Sequence, residues 1–308
     1  MNKPITSFFP LLFILLLAPV MQAEAECVQG NCRNGFGIFN FDSGNRYEGG
    51  FVDGVRTGRG TFYWTNGNRY VGDFLKDRQT GNGTFYWASG NRYEGDFVNG
   101  QQSGQGTFYW ANGNRYEGDF VNGMRTGKGK YFYSSGDRYE GDFTNNERTG
   151  KGEYFYVNGD RYEGDYVNDQ RTGKGKFFWA NGDRYEGDFI NGVRTGTGTY
   201  FYANGDRYEG AFESDSMQGK GELFWANGDH YEGDFINGVR TGMGTYYYAN
   251  GNRYEGEFKN NVFDGRGKFF WPNGDHYEGK FANGEVMGDG EYIANDGTKK
   301  KFLGLKTK

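Results

Sequence analysis

A tyrosine that recurs every 23 residues constrains the fold of this chain more than any other feature of the sequence. A Gly-x-Gly pair keeps the same step twelve times, from Gly35 and Gly37 to Gly288 and Gly290. The repeating tyrosines are Tyr47, Tyr70, Tyr93, Tyr116, Tyr139, Tyr162, Tyr185, Tyr208, Tyr231, Tyr254 and Tyr277. Such fixed-period similarity is typical of stacked structural units that bury their apolar faces on their neighbours. No other segment resembles a separate catalytic domain, so function is sought on the surface of the array.

The composition indicates an ordered but thin molecule. The 308 residues include 56 glycines, and 19% of them are aromatic. High glycine content often indicates disorder, but disordered segments are poor in aromatic residues. The formal net charge is −5. A mildly acidic chain gives no support for nucleic acid as a partner or for strong attraction to anionic lipid.

The first 25 residues have the features of a secretory signal peptide. Lys3 precedes an apolar run from Phe8 to Met21, and Ala23-Glu24-Ala25 fits a small-x-small cleavage site. The run is too short to cross a membrane comfortably as a permanent helix. We expect cleavage after Ala25, or alternatively after Ala23, and export to the periplasm, the cell envelope or the extracellular space. A retained N-terminal anchor is the alternative.

The only two cysteines, Cys27 and Cys32, would enter the same oxidising compartment after export. Their close spacing allows a small disulfide loop, and two free thiols are the alternative. Since they lie just ahead of Gly35, a bridge would act as a clasp on the first edge of the array. The sequence therefore divides into a signal peptide (1–25), a repeat array with this clasp (26–298) and a basic tail (299–308). The lysines of the tail are typical of residues that guard a sheet edge, and weak lipid attraction is the alternative.

One repeat, Arg161 to Arg184, shows what each unit folds into. No apolar spacing of three and four residues occurs, so a helix is excluded. Two β-prone runs, Arg161–Val167 and Lys174–Trp179, are separated by turn-forming residues. Each repeat is therefore predicted to be a hairpin, and the chain an antiparallel meander of about 23 strands.

The odd length of the repeat makes a further prediction about the turns. Alternate side chains of a strand face opposite sides, so two even-numbered turns would send successive tyrosines to opposite faces. We therefore place a three-residue turn between repeats, at residues 180–182, with a left-handed Gly182. This register sets Phe177 opposite Tyr185, and Lys174 opposite Asp188.

Within the repeat we predict a four-residue loop between Asn168 and Gly173. This loop would set Trp179 opposite Tyr162, and Phe177 opposite Gly164. Aromatic rings would then lie over glycines, which have no side chain to push them away.

The repeated string Y-E-G-D-F-x-N-G-x-R-T-G-K-G-x-F-x-W-A-N-G-D resembles the MORN (membrane occupation and recognition nexus) repeat. The resemblance extends essentially from Asn34 to Lys299, as eleven full units with partial ends. It implies an elongated single sheet of hairpins, here an exported array of the bacterial type. It also implies protein association or, as proposed for some members, attachment at membranes, and generally no catalysis by the repeats. The departures are Val71, Ala211 and Lys280, together with residues 213–215.

The residues give little support to an enzyme. The only histidines, His230 and His276, occupy positions where other repeats have Arg, and 46 residues separate them, too far apart in the predicted sheet to share a metal. No fragment fits a calcium loop, and the Gly-x-Gly pairs lack the helix that a phosphate loop requires. We expect a non-catalytic protein without a metal or cofactor.

One aromatic column is the candidate binding strip. A single-layer sheet needs these rings as its core, but some ring surface should stay accessible. A continuous apolar strip normally marks a partner site. We therefore expect a protein partner or self-association, with phospholipid at a membrane surface or cell-wall glycan as the alternative. The column comprises Trp64, Trp87, Trp110, Tyr133, Tyr156, Trp179, Tyr202, Trp225, Tyr248 and Trp271.

Overall fold

The computed structural model describes residues 24–303, so the expected signal peptide, apart from its last two residues, and the end of the basic tail lie outside the described residues. The chain forms two compact units, the first ending at Ala88 and the second beginning at Ser89. Every regular element between residues 24 and 303 is a β-strand. Over the same range, no helix is long and apolar enough to cross a membrane.

The first unit contains six strands, each hydrogen-bonded antiparallel to the next along the chain. They form a single-layer meander of hairpins. The strands are β1 (Glu26–Gly30), β2 (Gly35–Asn40), β3 (Arg46–Val52), β4 (Val55–Tyr63), β5 (Arg69–Leu75) and β6 (Arg78–Tyr86). Cys27 on β1 and Cys32 are joined by a disulfide, with their Cα atoms 5.9 Å apart.

The second unit continues the same pattern, and its consecutive strands also pair antiparallel. Up to β24, strands of seven and nine residues alternate. The strands are β7 (Arg92–Val98), β8 (Gln101–Tyr109), β9 (Arg115–Val121), β10 (Met124–Phe132), β11 (Arg138–Thr144), β12 (Glu147–Phe155), β13 (Arg161–Val167), β14 (Gln170–Phe178), β15 (Arg184–Ile190), β16 (Val193–Phe201), β17 (Arg207–Glu213), β18 (Ser216–Phe224), β19 (His230–Ile236), β20 (Val239–Tyr247), β21 (Arg253–Lys259), β22 (Val262–Phe270), β23 (His276–Ala282), β24 (Glu285–Ile293) and β25 (Lys299–Leu303). The predicted fold is confirmed.

Residues 24–303 form 25 strands, two more than predicted. The extra strands are β1 and β25, which pair with β2 and β24 respectively. The segment expected as a basic tail therefore begins as an edge strand, with lysines at its first three positions.

The turn between repeats is the predicted three-residue loop. The amide of Trp179 donates to the Asp183 carbonyl at 3.0 Å, and that of Gly182 donates to the Trp179 carbonyl at 3.0 Å. Gly182 has φ +96°, which is the left-handed conformation that this loop requires. Phe177 lies opposite Tyr185 in the resulting register. Since directly opposed residues share a face, successive tyrosines within each unit point to the same side.

The turn within the repeat differs from the prediction, which was wrong. Asn168 and Asp169 form a two-residue turn with φ +48° and +66°, the geometry of a type I′ hairpin. The predicted loop had four residues, two more than this turn. The two additional residues of the strand pair are Gly173 and Lys174, which form a bulge between the Gly164–Gly175 and Asp165–Thr172 pairs. The bulge is held in place because the Asp165 carboxylate accepts the backbone N–H of Lys174 at 3.3 Å.

As a result, Tyr162 lies opposite Phe177 and not Trp179, and Gly164 lies opposite Gly175. The expected contact of rings with glycines is nevertheless present in a different arrangement. Tyr162 covers both glycines, because a Cβ atom on either would collide with its hydroxyl group.

These tyrosines form the core of the sheet. Tyr162 is fully buried, and its hydroxyl donates to the Asp165 carbonyl at 3.2 Å. Its ring meets Tyr166 of the same strand and Phe189 of the next repeat edge to face, at 5.4 and 5.2 Å between centroids. Each repeat thus buries its aromatic residues against the next repeat, as expected for a solenoid-like array.

Candidate functional site

The candidate strip belongs to a larger set of rings in contact, here called the ring ladder. Most residues of the candidate strip contact the ring two positions before them and a ring in the next repeat, as in Phe177–Trp179 (4.6 Å) and Trp179–Tyr200 (5.2 Å). In the second unit the ladder comprises Phe108, Trp110, Tyr131, Tyr133, Tyr154, Tyr156, Phe177, Trp179, Tyr200, Tyr202, Trp225, Tyr246, Tyr248, Phe269, Trp271 and Tyr292, with Leu223 between Tyr202 and Trp225. The first unit carries Phe39, Phe41, Phe62, Trp64, Phe85 and Trp87 in the same arrangement.

All ten residues of the candidate strip are half-buried. One ring surface is therefore committed to packing, and another is open to solvent. The sequence identified this column of the ladder but not the second column, to which Phe177 and Tyr200 belong. The neighbours of each ring depend on the register that the turns set.

Carboxylates on the loops between repeats fix the hydroxyl groups of the ladder. The Tyr200 hydroxyl donates to Asp183 at 2.8 Å, and the Tyr246 hydroxyl donates to Asp229 at 2.7 Å. Burial, followed by the hydrogen bond to Asp183, raises the pKa of Tyr200 above its usual range. Burial alone would raise the pKa of Asp183, but the hydrogen bonds from Ala203 and Tyr200 outweigh it and lower that pKa. The loops thus hold the tyrosine rings in fixed orientations.

A column of arginines joins neighbouring hairpin tips, and we call its members the tip arginines. Arg148 is representative, since its Nε lies 2.9 Å from Asp169 Oδ1 and its guanidinium also donates to the Asp169 carbonyl at 2.7 Å. The guanidinium carbon lies 5.4–5.6 Å from the ring centroids of Tyr139, Tyr154 and Tyr166. The tip arginines are Arg56 in the first unit and Arg125, Arg148, Arg171, Arg194 and Arg240 in the second.

Sequence reasoning missed these arginines, although a signal was present. A tip arginine is followed 21 residues later by Asp or Asn in most repeats, as in Arg194 and Asp215. Where Met217 replaces the arginine, Gly238 occupies the turn position. Arg171 is the exception, since it is followed by Gly192 and donates only to the carbonyl of that residue.

On the face of the sheet that carries the ring ladder, small notches lie between neighbouring hairpin tips. One has a volume of about 310 Å³ and is formed where the tip of β13 and β14 meets the tip of β15 and β16. Burial raises the pKa of Tyr166, which lines this notch. Its lining residues are Arg148, Tyr154, Tyr156, Tyr166, Asp169, Gln170, Arg171, Asn191 and Gly192.

The opposite face carries charges that largely neutralise one another. Lys174 Nζ lies 2.7 Å from Asp188 Oδ1, as the predicted register requires. Arg161 stacks 4.2 Å over Phe178 and reaches both Glu153 and Glu163, at 3.2 and 3.4 Å. Glu153 and Glu163 lie opposite one another in the sheet, and this like-charge pair is therefore bridged by an arginine. Two broad open grooves lie between the charged rows, over the paired glycines.

The two histidines replace arginine in the stacks of this opposite face. His230 lies nearly parallel to Phe224 at 4.3 Å and to Tyr247 at 5.2 Å. His276 stacks on Phe270 at 5.3 Å, four strands further along the sheet. No group of three or more His, Cys, Asp or Glu side chains in the described part of the chain is arranged to hold a metal ion.

Three solved structures illustrate the similarity to proteins of known structure. The TCP domain of SAS-4 from Drosophila melanogaster, solved in complex with a proline-rich motif of Ana2, is 14% identical over 57% of this chain and 90% of that chain, with a TM-score of 0.35. The TCP10 domain of Danio rerio CPAP is 11% identical over 87% and 99%, with a TM-score of 0.18. Virginiamycin B lyase from Staphylococcus aureus is 8% identical over 92% and 89%, with a TM-score of 0.14. At such TM-scores these similarities carry no argument about function.

Comparison with curated proteins finds no match. The family model for the MORN repeat, in contrast, matches eleven consecutive 23-residue segments. They are residues 47–69, 70–92, 93–115, 116–138, 139–161, 162–184, 185–207, 208–230, 231–253, 254–276 and 277–299. Each segment begins at one of the repeating tyrosines, so the family repeat coincides with the buried core residue of every hairpin. The chain belongs to the MORN repeat family.

Proposed function

We propose that this protein is a non-catalytic, exported scaffold that binds a protein partner along its ring ladder. The observation that carries the proposal is that all ten candidate rings are half-buried and each contacts another ring of the ladder, as Trp179 contacts Phe177 and Tyr200. Aromatic rings fixed in this way offer large contact area at little cost in conformational entropy. A partner would bury the remaining ring surface and gain hydrophobic free energy.

Two features support export. The first 25 residues have the charge, apolar run and cleavage motif of a signal peptide. The disulfide between Cys27 and Cys32 suits an oxidising compartment, since cytosolic thiols are normally kept reduced. We propose the periplasm, the cell envelope or the extracellular space as the location.

The test is affinity capture with the mature chain from its own envelope, followed by binding measurements with the purified partner. We expect the triple variant Trp110→Ala, Trp179→Ala and Trp225→Ala to lose the partner while keeping a cooperative thermal transition. The matched control changes the same three residues to Tyr, which occupies this column at Tyr156 and Tyr202. The control should retain most of the affinity.

Lipid and glycan are the competing partners. Retention on phospholipid vesicles or peptidoglycan that is insensitive to salt, with no protein partner, would overturn the proposal. Equal partner binding by the alanine and tyrosine variants would exclude the ring ladder as the site.

A further inference from the structure

Tyr166 is the only tyrosine in a column where every other repeat has phenylalanine, as at Phe143 and Phe189. Its side chain is almost completely buried, with 2% exposure. Its hydroxyl has no hydrogen-bond partner in the described part of the chain. An unpaired buried hydroxyl costs free energy that phenylalanine would avoid. A ligand that pairs with this hydroxyl would recover that cost.

The notch lined by Tyr166 also contains a cationic side chain, Arg171, that has no carboxylate partner. Arg171 donates to the Gly192 carbonyl at 2.9 Å and stacks on Tyr162 and Phe177, both at 5.3 Å, but no ion pair with a carboxylate forms within residues 24–303. The other arginine of the notch, Arg148, is neutralised by Asp169. The notch therefore has one uncompensated positive charge.

We propose that this notch binds a carboxylate group, such as the acidic side chain of a protein partner. A guanidinium matches a carboxylate in charge and geometry. The phenol of Tyr156 and the carboxamide of Gln170 line the same notch and add donors. The volume of about 310 Å³ lies at the lower end of the range for ligand pockets.

The Tyr166 hydroxyl is closed to solvent. First contact is therefore assigned to Arg171, which is half-buried. The hydroxyl joins when the side chains of the notch rearrange around the bound group, a change that is common at binding surfaces. This inference deepens the proposed scaffold function by naming the chemistry of one contact.

The chain contains a matched comparison site two repeats further on. There a notch of about 290 Å³ is lined by Arg194, Tyr202, Phe212, Ser216 and Met217. Phe212 replaces the tyrosine, Met217 replaces the arginine that lacks a carboxylate partner, and Arg194 is paired with Asp215 at 2.9 Å. The volume is similar, but the uncompensated charge and the hydroxyl are missing, so this second notch should not bind carboxylates.

The test titrates the full mature chain, labelled with 13C at tyrosine, with glutarate and with a blocked tri-glutamate peptide. We expect saturable shifts of the Tyr156 and Tyr166 resonances but not of Tyr202. Arg171→Met should weaken binding by about tenfold or more, as expected for loss of a charged hydrogen bond. Tyr166→Phe should weaken it by about threefold or more while raising the Tm, since a buried unpaired hydroxyl is removed.

The gain-of-function variant Phe212→Tyr with Met217→Arg should create a second binding site. Binding of a tri-glutamine peptide as tight as that of tri-glutamate, or unchanged binding by Arg171→Met, would overturn the proposal. Tighter binding of glutarate than of the peptide would assign the site to a small dicarboxylate, and the reverse would assign it to a protein side chain. Because glutarate and the peptides are defined molecules, binding at the notch can be confirmed even if affinity capture finds no protein partner for the ring ladder.

Discussion

Arg148 Nε lies 2.9 Å from Oδ1 of Asp169, the second turn residue of the next hairpin. The arginine side chain is 19% exposed, so this pair is more shielded than most surface ion pairs. It connects two hairpin tips that no backbone ladder joins at this point, apart from the hydrogen bond from the Asp169 amide to the Arg148 carbonyl at 3.1 Å.

The first prediction concerns this link. Arg148→Met should lower the free energy of unfolding by about 1–3 kcal/mol, because it removes a charged hydrogen bond and stacking on three rings. The replacement occurs naturally at Met217. Urea unfolding of Arg148→Met, Asp169→Gly and the double variant should give a coupling energy, and strict additivity would show that the two residues act independently.

The second prediction concerns the glycine pairs beneath the tyrosines. Gly164→Ala should destabilise the protein by about 2 kcal/mol or more, since the new Cβ would collide with Tyr162 and come within 2.7 Å of the Gly175 Cα. Val167→Ala is the control, because that side chain is 54% exposed. Thermal unfolding followed by circular dichroism measures both variants. Equal Tm values would contradict the packing described here.

The third prediction concerns alkaline pH. Burial raises the pKa of Tyr185, Tyr208 and Tyr231 from 10.0 to about 12. The unfolded chain therefore loses these protons at lower pH than the folded chain. Their contribution to stability is complete below pH 10 and is lost as the pH rises through the folded-state value near 12. Tyrosinate absorbance and circular dichroism should change together in this window, and ionisation of the buried tyrosines near pH 10 with the sheet intact would refute the assignment.

The fourth prediction concerns the clasp. The disulfide closes a short loop, with a sequence separation of 5 between Cys27 and Cys32. Replacing both with Ser should cost about 2 kcal/mol locally by the loop-entropy estimate. Hydrogen exchange should then show lower protection in β1, with protection in β13 to β16 unchanged. Loss of protection in those distant strands would show that the clasp stabilises far more than the edge.

The sequence was sufficient to predict the hairpins, their antiparallel order and the turn between repeats. The 23-residue period is odd, so parity alone required an odd loop, and Asn181-Gly182 located it. The turn within the repeat was predicted incorrectly because its two extra residues lie in a bulge, Gly173 and Lys174, away from the turn itself. From the sequence alone, Asn168-Asp169 cannot be told apart from part of a longer loop, because the left-handed conformation of both residues is seen only in the structure.

The candidate strip could be identified from the sequence as a column of aromatic residues. The rings that pack against each member of the strip could not be identified in this way. Which ring packs on Trp179 depends on the pairing of Phe177 with Tyr162 and Tyr185. The tip arginines were missed because their partners lie 21 residues away and act across a hairpin tip. The single tyrosine at Tyr166 became informative only when its hydroxyl was found without a partner.

The three-residue turn between repeats has a consequence for how the chain can change in length. Loss or duplication of a block such as residues 162–184 keeps every remaining tyrosine on its own side of the sheet. Removing 22 or 24 residues would instead turn every side chain that follows to the opposite face of the sheet. Gene rearrangements in steps of the full repeat can therefore change the number of repeats without disturbing the core, whereas other steps disrupt it.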